Sequence, residues 1–264
     1  MTELLRIPKK IHYCWFGGKD LPELARLCIQ SWKEYCPDYE IIEWNEDNFN
    51  LDRYPYVREA YDNGKFAFVT DVVRLYVMAN YGGFYMDTDV ELIAPLDSLR
   101  RFEAISGFES DTEIPTGLMG SIPHQKMIEE LLKEYESVHF ITKAGGLDLT
   151  TNVVRITNAC TRYGFTPNNT LQTVNGFTFL PKDYLCPKDH ATGRITRTKN
   201  TIAIHHFNGS WQTDEDRCAK RVASLFPNYI PRKVVTALAR VIAVVKYRGV
   251  SGLVGYAKDR FLTM

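Results

Sequence analysis

The 264-residue chain lacks the patterns that would place it in several common protein classes. No segment approaches the roughly 18 uninterrupted apolar residues of a membrane-spanning helix. The opening residues, MTELLRIPKK, contain no long apolar stretch, so we expect no secretory signal. Basic and acidic residues balance at 32 each, and the overall charge therefore does not favour a nucleic-acid partner.

Glycine motifs for phosphate and cysteine motifs for metal are also absent. Neither GxGxxG nor GxxxxGK[ST] occurs, so neither a dinucleotide site nor a P-loop is predicted. The six cysteines form no CxxC pair and no zinc spacing with histidine. Because a chain of this length can bury its own core without disulfides, we expect reduced thiols and a cytoplasmic location.

The chain does contain short apolar runs, typical of strands, that alternate with segments of helical periodicity. The expected strands cover residues 11–16, 39–44, 84–86 and 201–206. The expected helices are one capped by Asp20 and ended at Pro37, one over 67–81 and one over 127–135. This order indicates an α/β sheet, and ligands of such sheets bind beyond the carboxyl ends of the strands.

The triplet Asp87-Thr88-Asp89 closes the apolar run 84–86 and is the strongest chemical signal in the chain. Carboxylates at the end of a buried strand need charged partners or a metal. Hard divalent cations prefer such oxygen ligands, and they in turn hold phosphates. The triplet predicts a site for Mn²⁺ or Mg²⁺ and a phosphate-bearing ligand, with an ordinary surface turn as the alternative.

Two nearby features each have two interpretations. Asp71 and Arg74 lie three residues apart on the helix over 67–81, so they form either a local salt bridge or a pair that holds the hydroxyls of a ligand. Trp15 precedes Gly17 at a strand end. It is either a core residue or a platform for a flat base, which the glycine would allow to approach closely.

His205 and His206 end the late strand. Adjacent side chains of a strand point to opposite faces, so we expect only one of the two in a site. An imidazole combined with two carboxylates would make a mixed ligand set that favours Mn²⁺ over Mg²⁺.

Four segments in this order carry a family resemblance: IPKKIHYCWFGG, SWKEYCPDYEIIEWNEDNF, FAFVTDVVRLYVMANYGGFYMDTDVEL and IAIHHFNGSW. Together they resemble bacterial glycosyltransferases with a sugar-binding Asp-x-Asp region (glycosyltransferase family 32). That family includes many capsule and exopolysaccharide enzymes and yeast-type initiating α-mannosyltransferases, and it is distantly similar to clostridial glucosylating toxins. The resemblance covers most of residues 7–212. It implies a GT-A type fold, which is a Rossmann-like mixed sheet flanked by helices.

The resemblance also implies roles for individual residues. Asp87 and Asp89 would bind a divalent metal together with His206, which fits the family pattern better than His205. Asp71 and Arg74 would hold the donor sugar and act with the two acids in catalysis. The remaining donor contacts implied by the resemblance are Trp15, Gly17, Thr88, Ser210 and Trp211.

The implied activity is retaining transfer of a hexose from a nucleotide sugar to a saccharide or lipid-linked saccharide in surface polysaccharide synthesis. A UDP-sugar is the favoured donor, and GDP-mannose is the alternative. We expect front-face substitution; if a covalent intermediate forms, Glu91 and Asp111 are the candidate nucleophiles. Two other classes stay open: a non-catalytic carbohydrate-binding protein, and a nucleotidyltransferase.

The C-terminal region is predicted to be a separate basic helix. We expect a transferase domain over residues 1–228 and a helical tail over 229–264. Between residues 232 and 260 the tail contains seven basic residues and one acidic residue. Its apolar residues with a basic fringe suit either packing on the domain or contact with an anionic membrane surface. In the second case the protein would be peripheral on the inner face of the cell membrane.

Overall fold

The computed structural model describes residues 6–115, 117–190, 193–208, 214–227 and 230–253. The chain forms two compact units. The first comprises residues 1–187 and 196–206, and the second comprises residues 188–195 and 207–264. The sequence-based boundary between residues 228 and 229 stays a prediction.

A seven-stranded mixed sheet organises the first unit, with strand order β2-β1-β3-β6-β5-β8-β7. Its strands are β1 (Lys10–Cys14), β2 (Glu40–Trp44), β3 (Gly83–Met86), β5 (Ala104–Gly107), β6 (Leu118–Ser121), β7 (Gln172–Val174) and β8 (Phe177–Leu180). Strands β2, β1 and β3 run parallel, and β6 pairs antiparallel to β3. A second, two-stranded antiparallel sheet joins β4 (Val90–Leu92) to β9 (Ala203–His205).

Helices flank the large sheet. In the first unit they are α1 (Glu23–Tyr35), α2 (Pro55–Asp62), α3 (Phe66–Tyr81), α4 (Lys126–Glu134), α5 (Asn152–Thr161) and the short α6 (Lys182–Leu185), with 3₁₀ turns at Leu51–Arg53 and Leu96–Arg101. The expected mixed α/β architecture is therefore confirmed, and the strands and helices predicted from periodicity form at their places with shifts of a few residues.

Strand β3 separates two hydrophobic clusters because its side chains alternate between the faces of the sheet. Tyr85 belongs to the cluster that contains Val72 and Leu75 of α3. Phe84 belongs to the cluster that contains Cys28 and Trp32 of α1. The strand is buried along its whole length, so the first position at which a charged side chain can reach an opening is Asp87.

The start of α1 differs from the sequence prediction. Asp20 was expected to cap this helix, but the helix begins at Glu23 with Pro22 at the cap position and no side-chain cap. Pro22 is extended, with φ −65° and ψ 161°. A cap residue must directly precede the helix to accept a backbone N–H of the first turn, and Asp20 lies too far upstream.

The second unit contains α7 (Asp214–Ala223) and α8 (Arg232–Arg248). Ala223 packs against Val235 and Ala239 of α8 in a small apolar cluster. Arg248 donates from Nε to Glu215 Oε2 at 2.6 Å and so connects the two helices. The expected C-terminal helix is confirmed. Across the described residues, no helix combines the length and apolarity needed to cross a bilayer.

Candidate metal and donor site

The two aspartates lie in a tight turn at the carboxyl end of β3. The Asp87 backbone N–H donates to Gly117 O at 2.9 Å, and the Val90 N–H donates to Asp87 O at 3.0 Å. This turn holds both carboxylates at the end of the strand, where they are partly buried. Thr88 lies between them and is also partly buried.

His205 completes a cluster with the aspartates. Its backbone pairs with Val90 in the antiparallel ladder of β4 and β9. The side chain is buried, and Nε2 lies 3.3 Å from Asp89 Oδ1. Potential ligand atoms of Asp87, Asp89 and His205 all lie within 4.8 Å of one another. Two carboxylates and an imidazole are a donor set that a divalent ion such as Mn²⁺ accepts, so the residues fit a metal.

The structure brings His205, and not the predicted His206, into this cluster with the two aspartates. His206 Nε2 instead lies 2.8 Å from Glu91 Oε2. The reason is the alternation of side chains along an extended backbone, which sends adjacent residues to opposite sides. The backbone of His206 supports the turn, because its N–H donates to Asp89 O at 2.9 Å.

Glu109 is a residue of the site that sequence reasoning missed. Its Oε2 lies 3.9 Å from His205 Nδ1. Burial raises the pKa of Glu109 to about 7, against the opposing effect of His205. Burial lowers the pKa of His205, but Asp89 and other partners outweigh it, so this pKa lies well above its ordinary value. No local motif marked Glu109, since it follows β5, and the pairing of β5 with β6 and of β6 with β3 brings it here.

Gly117 provides the space for the cluster. A Cβ built on Gly117 would lie 2.9 Å from Asp87 Oδ2 and 3.1 Å from His205 Cε1. Any larger residue would press on two of the three candidate ligands. A glycine immediately before an apolar strand is a weak sequence signal, and its role becomes visible only when β6 is paired with β3.

Asp71 and Arg74 form a buried network with the first aspartate. Arg74 Nη2 lies 3.3 Å from Asp71 Oδ1 and 3.1 Å from Asp87 Oδ1. Its guanidinium stacks 4.7 Å from the ring centroid of Tyr85, whose hydroxyl donates to the same Asp87 oxygen at 3.1 Å. The network therefore holds Oδ1 of Asp87, while Oδ2 lies on the side of Gly117. Asp71 and Arg74 do form the local salt bridge, and the pair also borders the cluster, where it could hold the hydroxyls of a ligand. The structure is therefore consistent with both interpretations of this pair.

Asn152 anchors Asp71 and was also missed from sequence. The Asn152 backbone N–H donates to Asp71 Oδ2 at 3.0 Å, and its side-chain Nδ2 donates to Asp71 O at 2.7 Å. The Tyr135 hydroxyl in turn donates to Asn152 Oδ1 at 2.9 Å. Burial raises the pKa of Asp71 to about 6, although Arg74 and the Asn152 N–H oppose this shift.

The residues expected at the nucleobase lie at the same edge of the sheet. Trp15 and Gly17 follow β1, which runs parallel to β3, so they extend from the edge that carries Asp87. Trp15 is partly buried, and its indole N–H donates to Lys19 O. Gly17 has φ +90°, and its N–H donates to Glu46 Oε1 at 2.7 Å. The predicted contacts Ser210 and Trp211 lie outside the described residues.

Comparisons with known proteins find similarity to glycosyltransferases. A family model described as a glycosyltransferase sugar-binding region containing a DXD motif matches residues 22–105. Inositol phosphoceramide mannosyltransferase 2 of Schizosaccharomyces pombe is 33% identical over 134 residues, which are 49% of this chain and 39% of that protein. Mannosyl phosphorylinositol ceramide synthase SUR1 of Saccharomyces cerevisiae is 31% identical over 142 residues, which are 51% of this chain and 37% of that protein.

The match thus spans under two fifths of the length of each of these curated relatives. Solved glycosyltransferases are more distant. The galactosyltransferase LgtC gives a TM-score of 0.40 at 14% identity and covers 87% of this chain and 95% of LgtC. The PaToxG glycosyltransferase gives a TM-score of 0.41 at 20% identity, and the match covers 48% of this chain and 60% of PaToxG. The expected similarity to Asp-x-Asp glycosyltransferases and to yeast mannosyltransferases is confirmed, and the matched region contains Asp71, Arg74, Asp87 and Asp89.

Proposed function

We propose that this protein is a metal-dependent glycosyltransferase that moves a hexose from a nucleotide sugar to a saccharide or lipid-linked saccharide. The observation that carries the proposal is the convergence of Asp87, Asp89 and His205 within 4.8 Å beside the buried Asp71–Arg74 pair. The family match over residues 22–105 supports the same reaction class.

In this proposal Asp87, Asp89 and His205 hold Mn²⁺ or Mg²⁺. When bound, such an ion stabilises negative charge on a leaving diphosphate as a Lewis acid. Arg74 keeps Asp87 in place through Oδ1, and Gly117 keeps the space beside Oδ2 open. Asp71 and Arg74, one acceptor and one forked donor, are suited to hydrogen bonds with the hydroxyls of the donor sugar.

The proposed bond changes need no enzyme nucleophile. The bond from the anomeric carbon to the diphosphate oxygen breaks, and the acceptor hydroxyl attacks from the same face. Its proton passes to the departing diphosphate, and the configuration is retained. The surroundings of the two candidate nucleophiles argue for this route and against a covalent intermediate. Glu91 is engaged by His206, and Asp111 is exposed to solvent.

The identity of the donor rests on Trp15 and on the relatives. Stacking of Trp15 on a base favours UDP in the resembled family. The relatives named above transfer mannose by name, which supports a mannose donor such as GDP-mannose as the alternative. We further propose a cytoplasmic protein that acts in the synthesis of a surface polysaccharide. The sequence resemblance to capsule and exopolysaccharide enzymes supports this setting.

The test is nucleotide release from a panel of UDP- and GDP-sugars, with Mn²⁺ and with chelator. We expect metal-dependent release of the nucleoside diphosphate, and we expect its loss in Asp89→Asn. Asp62→Asn is the matched control, since Asp62 is an exposed aspartate at the end of α2. Full activity of Asp89→Asn in chelator would contradict the proposal.

Two added measurements, thermal denaturation with a donor and pyrophosphate release from a nucleoside triphosphate, separate the other two classes. A carbohydrate-binding protein would be stabilised against heat by a donor without consuming it, since a ligand that binds only the folded state stabilises it. A nucleotidyltransferase would consume a nucleoside triphosphate and release pyrophosphate. Either result would contradict the proposed transferase activity and support the other class instead.

A further inference from the structure

Helix α8 exposes a continuous apolar face. Five apolar residues with helical spacing lie on one side of this helix, and each is between 36% and 47% exposed. They are Val234, Leu238, Val241, Ile242 and Val245. The buried side of the helix consists instead of residues such as Val235, Ala239 and Ala243. A helix that packs only within a soluble unit normally carries polar residues on its outward face. This face, which we call the α8 stripe, therefore needs a partner.

The charge of α8 indicates what that partner is. The helix contains Arg232, Lys233, Arg240, Lys246 and Arg248 but no aspartate or glutamate. Arg248 is paired with Glu215 of α7, whereas Lys246 lies exposed near the end of the stripe. A basic helix with an apolar face matches an anionic surface that also offers an apolar layer.

We propose that the α8 stripe docks on an anionic lipid bilayer, with the helix lying in the plane of the interface. At 17 residues the helix is about 25 Å long, and it would bury its apolar face at the boundary between headgroups and acyl chains. A second copy of the chain is a poorer occupant. Stripe-to-stripe pairing would bring together two helices that each carry five basic residues and no acid. This docking holds whether or not the cluster in the first unit transfers a sugar.

The direct test is flotation of the full chain with lipid vesicles. We expect binding to vesicles of equimolar phosphatidylcholine and phosphatidylglycerol and little binding to phosphatidylcholine alone. Because each basic residue near an anionic surface strengthens binding about fivefold, Lys246→Glu should weaken binding by at least that factor. Added salt should weaken binding of the unchanged protein in the same direction.

Substitutions in the stripe separate the apolar contribution from the charge. Leu238→Glu with Ile242→Glu should lower vesicle binding at least tenfold, since both side chains would carry charge into the acyl boundary. Leu171→Glu is the matched control, because Leu171 is a 62% exposed leucine of the first unit. It should bind as the unchanged protein does. All four residues changed here are exposed, so circular dichroism should show unaltered helix content.

Three results would overturn the proposal. The first is the absence of vesicle binding by the unchanged chain. The second is equal binding by the stripe variant and Leu171→Glu. The third is a dimer in light scattering that the stripe substitutions dissociate, which would make α8 an interface between copies.

Discussion

Gly117→Ala tests the geometry of the cluster most directly. The added Cβ would lie 2.9 Å from Asp87 Oδ2, 3.0 Å from Val90 Cγ2 and 3.1 Å from His205 Cε1, while ordinary contact begins at 3.4 Å. The shortfall at Asp87 is 3.4 − 2.9, or about 0.5 Å. Arg74 and Tyr85 hold the other Asp87 oxygen, so the carboxylate has to turn about a fixed point.

The expected effect on stability is modest. The backbone of Gly117 lies outside the positive-φ region, so alanine itself is tolerated there. Overpacking a tight site costs about 1–3 kcal/mol, which is offset by about 0.4–1 kcal/mol from the reduced entropy of the unfolded chain. Urea unfolding in chelator should therefore show a loss of about 1–2 kcal/mol in the free energy of unfolding.

The expected effect on metal binding is larger. Displacing the groups that orient a metal ligand typically weakens the metal about 10- to 100-fold, so the Mn²⁺ concentration for half-maximal donor hydrolysis should rise about tenfold or more. Calorimetric Mn²⁺ binding should change in parallel. Because calorimetry does not need turnover, it separates a failure of this geometry from a failure of the proposed reaction.

Two other glycines serve as controls. Gly146→Ala meets only Thr142 Oγ1 at 3.6 Å, so it should be neutral in both assays. Gly120→Ala would press a Cβ to 2.6 Å from the Phe84 ring, so it should lower stability without touching a candidate ligand. If Gly117→Ala behaved like Gly120→Ala, losing stability but keeping its affinity for Mn²⁺, the cluster would not be the metal site.

Three further predictions address the neighbouring residues. His205→Gln should weaken Mn²⁺ binding at least tenfold in calorimetry while His206→Gln leaves it near normal, and the reverse order would restore His206 as the ligand. Asn152→Ala should raise the KM for the donor more than it lowers kcat and cost about 1–3 kcal/mol in urea unfolding, because it removes the side-chain hydrogen bond to Asp71 O and leaves the buried Tyr135 hydroxyl without its acceptor; unchanged kinetics would limit Asn152 to a structural role. The pKa of Asp71 is about 6 in the folded protein against an ordinary 3.8, so between these pH values the folded state binds a proton that the unfolded state has lost. The free energy of unfolding should therefore fall by up to about 3 kcal/mol as the pH rises from about 4 to about 7. Asp71→Asn should flatten that slope, and an identical slope in the variant would assign it to other groups.

The sequence could predict the parts of this site that lie close together along the chain. Periodicity indicated α3 and β3, and the Asp-x-Asp triplet indicated where the acids emerge. Asp71 and Arg74 were identified because they share one side of the helix that precedes these acids. Local chemistry was sufficient here, since all four residues lie within 19 positions, from 71 to 89.

The parts that the sequence could not predict depend on pairings between distant segments. The choice between His205 and His206 requires the register of β9 on β4, which aligns His205 with Val90. A shift by one residue would exchange the two histidines, and no local pattern fixes that register. Glu109, Gly117 and Asn152 similarly reach the site through long-range packing, so their residue types alone carried no signal.

These long-range contacts explain how a buried arginine can serve the cluster. A desolvated guanidinium is costly unless its charge is matched, and Arg74 is matched by Asp71 on one side and Asp87 on the other. Asp71 would itself be poorly solvated without the two hydrogen bonds from Asn152. The orientation of Asp87 thus depends on a helix that begins 65 positions later, at Asn152 (152 − 87). A fragment that ended before α5 would retain the Asp-x-Asp triplet but lose the support for Asp71, so we expect it to lack a well-ordered site.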